Sequence, residues 1–277
     1  MRKGGLLQGR AAHPRAGRMT ALLDLSSRLP WRVGFEPDPA AHEQRHWPDL
    51  LAALPAGALL LFDLGHTHFN VFAQLTAAQV TGVTRAKKNL AYNVKRVLAH
   101  APTGRESLVA IGSAEGRQTV RRIEWYFEGG WYRSLTHELD PARLPAAYAV
   151  ALYHPRGRIA DTCLLVQRLL GLAYFWGGAQ NTVALQLWAT GLLYAVLIDL
   201  TDAVAEALEQ PFDAISIERV FRSLYYAAHA GHHTPTTDVV AYLAAHAQLL
   251  GIVKRPRTRK SPSQSPLDNQ VKTLAWD

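Results

Sequence analysis

Six residues constrain the fold of this chain more than any others. Ala58-Leu-Leu-Leu-Phe-Asp63 is a continuous apolar run that follows Pro55-Ala-Gly57 and ends in a carboxylate. A short run that is apolar at consecutive positions reads as a strand covered on both faces, the kind found in α/β sheets. The flanking pattern agrees. Asp38-Pro-Ala-Ala-His42 opens a helix to about Leu54, with Asp38 as N-cap and Pro39 at the first helical position. Thr67 to Ala78 reads as the next helix and Val80-Thr-Gly-Val-Thr84 as the next strand. Asp63 is therefore expected at the C-terminal edge of a central strand, where open α/β sheets bind ligands.

The remaining segments fill in around this unit. Thr20-Ala-Leu-Leu-Asp-Leu25 and Trp31-Arg-Val-Gly-Phe35 read as short strands joined by a turn at Ser26 to Pro30. From Arg85 to about Arg133 the pattern changes to short alternating segments: Ser107 to Ile111, Thr119 to Trp125 and Trp131 to Leu135. Glycine turns such as Glu128-Gly-Gly130 separate them, which predicts an antiparallel β insertion. After Pro141 the chain turns helical, with helices from near Arg156 to Leu170, Asn181 to about Glu209, Ile215 to His229 and Asp238 to Leu250. Val183 to Leu200 is long enough to span a bilayer, which takes roughly 20 apolar residues. It also carries Gln186, Thr190 and Asp199, and ionisable groups are costly in lipid, so a buried core helix and no membrane contact are expected.

Bulk properties narrow the classes. The 277 residues suffice for one large domain carrying an insertion, with a core that needs no staples. A lone cysteine, Cys163, excludes an internal disulfide framework, fits a reducing cytosol and reads as a small buried apolar residue. The net charge of +8 and a pI near 9.7 favour a polyanionic partner, nucleic acid before membrane. Met1 to Arg18 is basic, without periodicity and without an apolar core of signal-peptide length, so disorder is expected there and export is not. Lys254-Arg-Pro-Arg-Thr-Arg-Lys260 opens a basic tail, and contact with phosphates and simple solvation are both open for it.

A strand-edge Asp, a β insertion and then a helix bearing Tyr153 and Arg156 have the parts of a two-metal phosphoryl-transfer site. Such sites draw carboxylates from distant segments to hold two Mg²⁺ ions about 3.5–4 Å apart, and Arg and Lys beside them neutralise phosphate. The segments Phe62-Asp-Leu-Gly-His66 with Phe69, Val83-Thr-Arg-Ala-Lys-Lys-Asn89, Arg133-Ser-Leu-Thr-His137 and Tyr153-x-x-Arg156-x-x-x-Ala160 follow one another in order. So do Arg168-Leu-Leu-Gly-Leu172 with Trp176, and Gln186-Leu-Trp-Ala-Thr190. In order and spacing the chain resembles the DDE transposases of bacterial insertion sequences, of the insertion-sequence-four type, from about Met19 to Lys254.

That resemblance implies an α/β fold: an RNase H-like mixed sheet with an antiparallel β insertion and a helical C-terminal part. The implied organisation is a basic N-terminus at 1–18, a core at 19–252 with the insertion at about 85–140, and a tail at 253–277. It implies Mg²⁺-dependent cleavage of double-stranded DNA at terminal inverted repeats and strand transfer, in the cytoplasm, with a homodimer as a second association. Asp63 would be the second catalytic Asp and a metal ligand. Tyr153 and Arg156 would be the Tyr and Arg of the family's Tyr-Arg-Glu-Lys signature. Arg85, Lys87 and Lys88 would face phosphate, and Trp125 could stack on an unpaired base.

The departures are as informative as the matches. Ala160 stands where the family has its metal-binding Glu, Gln167 where it has Lys, Gly157 where it usually has Trp, and His66 and His137 where Tyr and Asn are usual. The first Asp is expected upstream of Thr20, where Met1 to Arg18 holds no acid, and the family's N-terminal DNA-recognition region is not recognisable either. Asp161 lies about 100° around the helix from position 160 and would point away from the metals. The expectation is a truncated, degenerate transposase without activity. The competing one is a non-catalytic DNA-binding or dimerising inhibitor of an intact transposase. A third is a relic with a poorly stable fold. Other groups have plainer readings: Asp24 as a structural or surface residue, His229, His232 and His233 as a solvated loop, and Trp125, Tyr126, Phe127, Trp131 and Tyr132 as hairpin packing.

Overall fold

The first expected hairpin forms. Strand β1 (Arg18–Leu23) pairs antiparallel with β2 (Pro30–Glu36), Met19 opposite Phe35 and Thr20 opposite Gly34. Side chains close the turn between them: Asp24 accepts from the Ser26 amide at 2.8 Å, and Ser27 Oγ from the Leu29 amide at 3.3 Å. Asp24 is thus a turn residue, as Asx chemistry favours. The structure, a computed structural model, describes residues 18–36, 38, 43–63, 70–87, 89–112, 116–127, 130–153, 165–171, 177, 179–233 and 238–254. They fall into two compact units, one within 40–160 and one comprising the hairpin with the described residues after 160.

The first unit is a mixed α/β layer. A 3₁₀ turn (Glu43–His46) leads into helix α1 (Trp47–Ala52), which starts where Pro48 can occupy the first turn without losing a hydrogen bond. Residues 39–42, where the sequence predicts the start of this helix, lie outside the described ones. The apolar run forms β3 (Leu59–Phe62), helix α2 (Val71–Ala77) follows, and β4 (Thr81–Arg85) lies parallel to β3. Strands β5 (Tyr92–Ala101), β6 (Gly104–Ile111), β7 (Gln118–Phe127) and β8 (Gly130–Thr136) form an antiparallel meander. Because β8 returns to pair antiparallel with β4, the insertion extends the core sheet, in the order β3-β4-β8-β7-β6-β5.

Two expectations need correction here. β3 is predicted to be a central strand, yet among the described residues it is the sheet's edge, because β8 takes the other side of β4. β5 is absent from the sequence reading because two register shifts, between Val94 and Arg96 and between Val97 and Ala99, break its alternation. Cores form on both faces of the sheet. On one face Trp47 meets Phe62 edge-on at 5.5 Å, and Phe62 meets Phe72 at 6.3 Å. On the other, Val83 and Ile123 pack with Leu144 and with Ala149 of helix α3 (Ala146–Tyr153).

The second unit is helical apart from its hairpin. A π-helical turn (Leu165–Leu169) precedes helix α4 (Gln180–Ala207), then α5 (Ile217–His233), α6 (Val239–Ala245) and α7 (Ala247–Leu250). Asp238 caps α6 by accepting from the Val240 amide at 3.0 Å. Gly251 adopts φ 64° to end α7, a left-handed cap that glycine takes without strain. Leu197, Val204, Val220, Leu243 and Ile252 form the helical core. The hairpin docks on it through Tyr194, whose hydroxyl donates to the Arg28 carbonyl at 2.9 Å, and through Arg28 over the Phe212 ring at 4.0 Å. The predicted helix to His229 runs on through Gly231, so His232 and His233 lie in α5 where a loop is predicted. Val183 to Leu200, expected as a buried core helix, is buried only in part. Only one face of α4 is buried, and its other face carries exposed Leu185, Trp188 and Leu192.

Candidate active site and basic face

Parallel pairing builds the candidate site. Phe62 lies beside Thr84 in the β3–β4 register, and one step further along both strands stand Asp63 and Arg85. A carboxylate and a guanidinium therefore share the C-terminal edge of the sheet, where side chains project past the last backbone hydrogen bonds. Asp63 is exposed. Arg85 is half-buried opposite Ser134 of β8, and the next amide, Ala86, donates to the Arg133 carbonyl at 2.8 Å. Lys87 follows and is exposed. The guanidinium can hold two phosphate oxygens in fork geometry, which a lysine cannot.

The other expected residues are reached only in part. Tyr153 closes α3 and Gln167 lies in the π-helical turn, but their side chains, like Lys88, Arg156 and Ala160, lie outside the described residues. Among the described residues no three His, Cys, Asp or Glu side chains gather to hold a metal ion. Asp63 beside a guanidinium offers one anionic ligand where two hydrated divalent cations need several in strict geometry. The described donors do not fit a two-metal centre.

Charges that the sequence reading passed over organise the insertion. Thr119-Val-Arg-Arg-Ile-Glu-Trp125 breaks alternation with a double Arg, which puts one guanidinium on each face of β7. Arg122 grips Glu124 with two hydrogen bonds of 2.6 and 2.7 Å, and Arg133 reaches the same carboxylate at 2.9 Å. Nearby, Arg122 lies over the Tyr92 ring at 4.4 Å and Arg105 over Trp131 at 4.6 Å. Two cations on one carboxylate, with Arg105 exposed beside them, leave this face basic. Two of the predicted hairpin contacts form: Tyr126 meets Trp131 at 5.4 Å, and Trp125 lies close over Gly104.

Arg121 points the other way and is fully buried. Its Nε lies 3.0 Å from Glu106, an ion pair not aligned as a hydrogen bond, and its Nη atoms donate to the Glu138 and Leu144 carbonyls. Burial pushes this guanidinium below its usual range, against the pull of Glu106, Glu138 and Asp140. His137 sits 5.8 Å from the Phe72 ring. Burial lowers its pKa, opposed by Glu138 and by a backbone hydrogen bond with Val80.

The family of transposase DDE domains matches residues 8–159. A candidate transposase of Sinorhizobium fredii is 26% identical over 195 residues, covering 60% of this chain and 53% of the relative. The chain thus spans about half the length of the curated relative it matches.

Proposed function

The chain belongs to the family of transposase DDE domains, which matches more than half of its length, and on that premise we propose that it is an insertion-sequence transposase that binds double-stranded DNA at terminal inverted repeats and has lost its own cutting chemistry. The observation that carries this reading is the pair Asp63 and Arg85 at the ends of two parallel strands. The family works with a divalent metal, and Mg²⁺ is the ion we assign to it. Asp63 is the residue that would bind it here, with Tyr153 and Arg156 on the phosphate beside the cut, and Arg85, Lys87 and Lys88 along the DNA. Ala160 supplies a methyl group where a ligand is needed and Gln167 a neutral amide where a cation is needed, so the set is incomplete. We place the protein in the cytoplasm, with the DNA it binds.

Two assays test this. The purified chain with Mg²⁺ and a terminal-repeat duplex should neither nick nor transfer strands. Activity that disappears in Asp63→Ala would overturn the loss of catalysis. Affinity for the duplex should fall linearly in log–log against salt, with a slope near −0.9 per phosphate neutralised, and Arg85→Ala should flatten it by about one phosphate. An affinity indifferent to salt refutes DNA binding. The net charge of +8 and the basic face of the insertion also support a second reading, an inhibitor that binds the DNA or dimerises with an intact transposase.

A further inference from the structure

Two cations stand apart in the helical unit. Between Gln180 and Val253 the sequence holds no Lys or Arg except Arg219 and Arg222, against seven Asp and Glu. The two Arg lie three residues apart on one side of α5, where 3.6 residues per turn also brings Tyr225 and Tyr226. All four are exposed. The other side of α5 is taken by the unit's own core, with Val220, Ser223 and Ala227 buried and Leu224 packed against the same cluster. Backbone pairing brings further charge to the same end of the helix. Ile215 bridges Val253, the Ser216 amide donates to the Ile252 carbonyl at 2.8 Å, and the Lys254 amide donates to the Ala214 carbonyl at 2.8 Å. Lys254 is thereby fixed beside the residues that lead into α5. It is also the first of five cations in Lys254-Arg-Pro-Arg-Thr-Arg-Lys260, of which the rest lie outside the described residues. The N-terminal end of this 17-residue helix adds the positive pole of its dipole. We propose that the first three turns of α5, with Lys254 at their foot, form a second contact for the phosphate backbone of duplex DNA, on a different unit from the Asp63–Arg85 edge.

Every one of these residues belongs to the helical unit, so its own packing settles the placement. Two acids stand nearby and both are paired. Glu218 meets Arg222 Nε at 2.9 Å, and Asp213 meets Arg28 at 3.2 Å. An exposed pair one helical turn apart is weak, so a phosphate can replace Glu218 on Arg222 and take two parallel hydrogen bonds from the guanidinium. The Tyr225 and Tyr226 hydroxyls supply donors of the kind that phosphate oxygens accept from. Contacts of this sort fix a protein on the duplex without reading its sequence. An anionic lipid surface is the rival occupant. A helix that lies among headgroups buries an apolar face there, and the apolar face of α5 is already in the protein core.

The site rests on the DNA-binding reading, and its failure is separable from that reading's. The full chain is titrated against a fluorescent duplex of arbitrary sequence over a range of salt. Arg219→Gln with Arg222→Gln should flatten the log–log slope by about 1.8, two phosphates at about 0.9 each. Urea unfolding of that variant should keep the parent midpoint, because both side chains are exposed. Glu218→Gln should lower the dissociation constant severalfold, since it frees Arg222 and removes a like charge from the phosphate. A pair that served only the helix would leave affinity where it was. A double variant with the parent slope, or a Glu218→Gln chain that binds no tighter, overturns the site and leaves the DNA reading standing. Flotation of the parent chain, but not the double variant, with phosphatidylcholine–phosphatidylglycerol vesicles would assign the face to lipid and overturn it as well. A parent chain whose affinity ignores salt removes the DNA reading and this site together.

Discussion

Replacing Arg121 by Ala should be among the most damaging single changes in the sheet. The guanidinium is fully buried and holds three strands' worth of backbone together. It pairs with Glu106 on β6, belongs to β7, and ties down the Glu138 and Leu144 carbonyls after β8. Removing it leaves the Glu106 carboxylate, itself 11% exposed, without its counter-charge, and strands two carbonyls. Breaking a buried ion pair by removing one partner costs about 3–5 kcal/mol, against a total stability of about 5–15 kcal/mol for a domain. With a urea slope of roughly 1–3 kcal/mol per molar, the midpoint should fall by about 1–5 M. Hydrogen exchange of the β6–β8 amides in urea reads this sheet apart from the helical unit. The double variant Arg121→Met with Glu106→Leu should recover more than half the loss, because it removes both charges and keeps the volume. A single-variant cost below about 1 kcal/mol, or a double variant as poor as the sum of both singles, would refute the claim that the pair's integrity governs the cost.

Three further outcomes follow from local geometry. Gly82→Ala places a Cβ 2.5 Å from Leu75 Cδ1 and 3.1 Å from Phe62; Leu75 is fully buried and cannot swing clear, so thermal melting should show a loss of about 1–3 kcal/mol, and an unchanged melt would mean the core yields. His137 has a folded-state pKa below its ordinary 6.5, so the unfolded chain binds its proton first. Its stability contribution is complete above about pH 6.5 and is lost as pH falls from there through the depressed value; His137→Phe should flatten that acid limb in pH-dependent denaturation, and an identical limb would assign the loss elsewhere. Asp238→Ala should destabilise the helical unit by about 1 kcal/mol in urea, since the Val240 amide loses its acceptor; no change would make that cap incidental.

What could be read from the residues follows from how locally each element is specified. Ala58 to Asp63 declares its strand without help, and the Asp24 turn and Asp238 cap are short-range chemistry written in adjacent residues. The sheet position of β3 is a different kind of fact. It depends on β8 pairing with β4 about fifty residues later, which periodicity does not reveal. Register shifts hid β5 for the same reason: a bulge inserts a residue and erases the period of two. Arg121 and Arg122 were visible as a double Arg, yet only the structure shows that one is fully buried and the other is paired with Glu124 on the opposite face of the sheet. In α4 composition misled, because a helix apolar all round reads as core whether or not something covers each side.

The candidate site was legible in part because its pieces answer to different pressures. Phe62 and Thr84, one step before Asp63 and Arg85, are buried and fix the register of the β3–β4 pair, so the fold itself holds those two side chains together. Positions 160 and 167 lie where the sequence predicts a helix, and helix propensity is the pressure that can be read there. Alanine is the best helix former and glutamine forms helices about as well as lysine, so the helix predicted from Arg156 to Leu170 loses nothing in propensity with Ala160 and Gln167 where the family resemblance leads one to expect Glu and Lys. Chemistry can therefore change there without a cost in helix propensity, whereas the Asp63–Arg85 edge cannot be dispersed without unpairing two strands. For that reason Ala160→Glu should leave folding unchanged and, with the described donors still short of a two-metal set, should not by itself create strand cleavage.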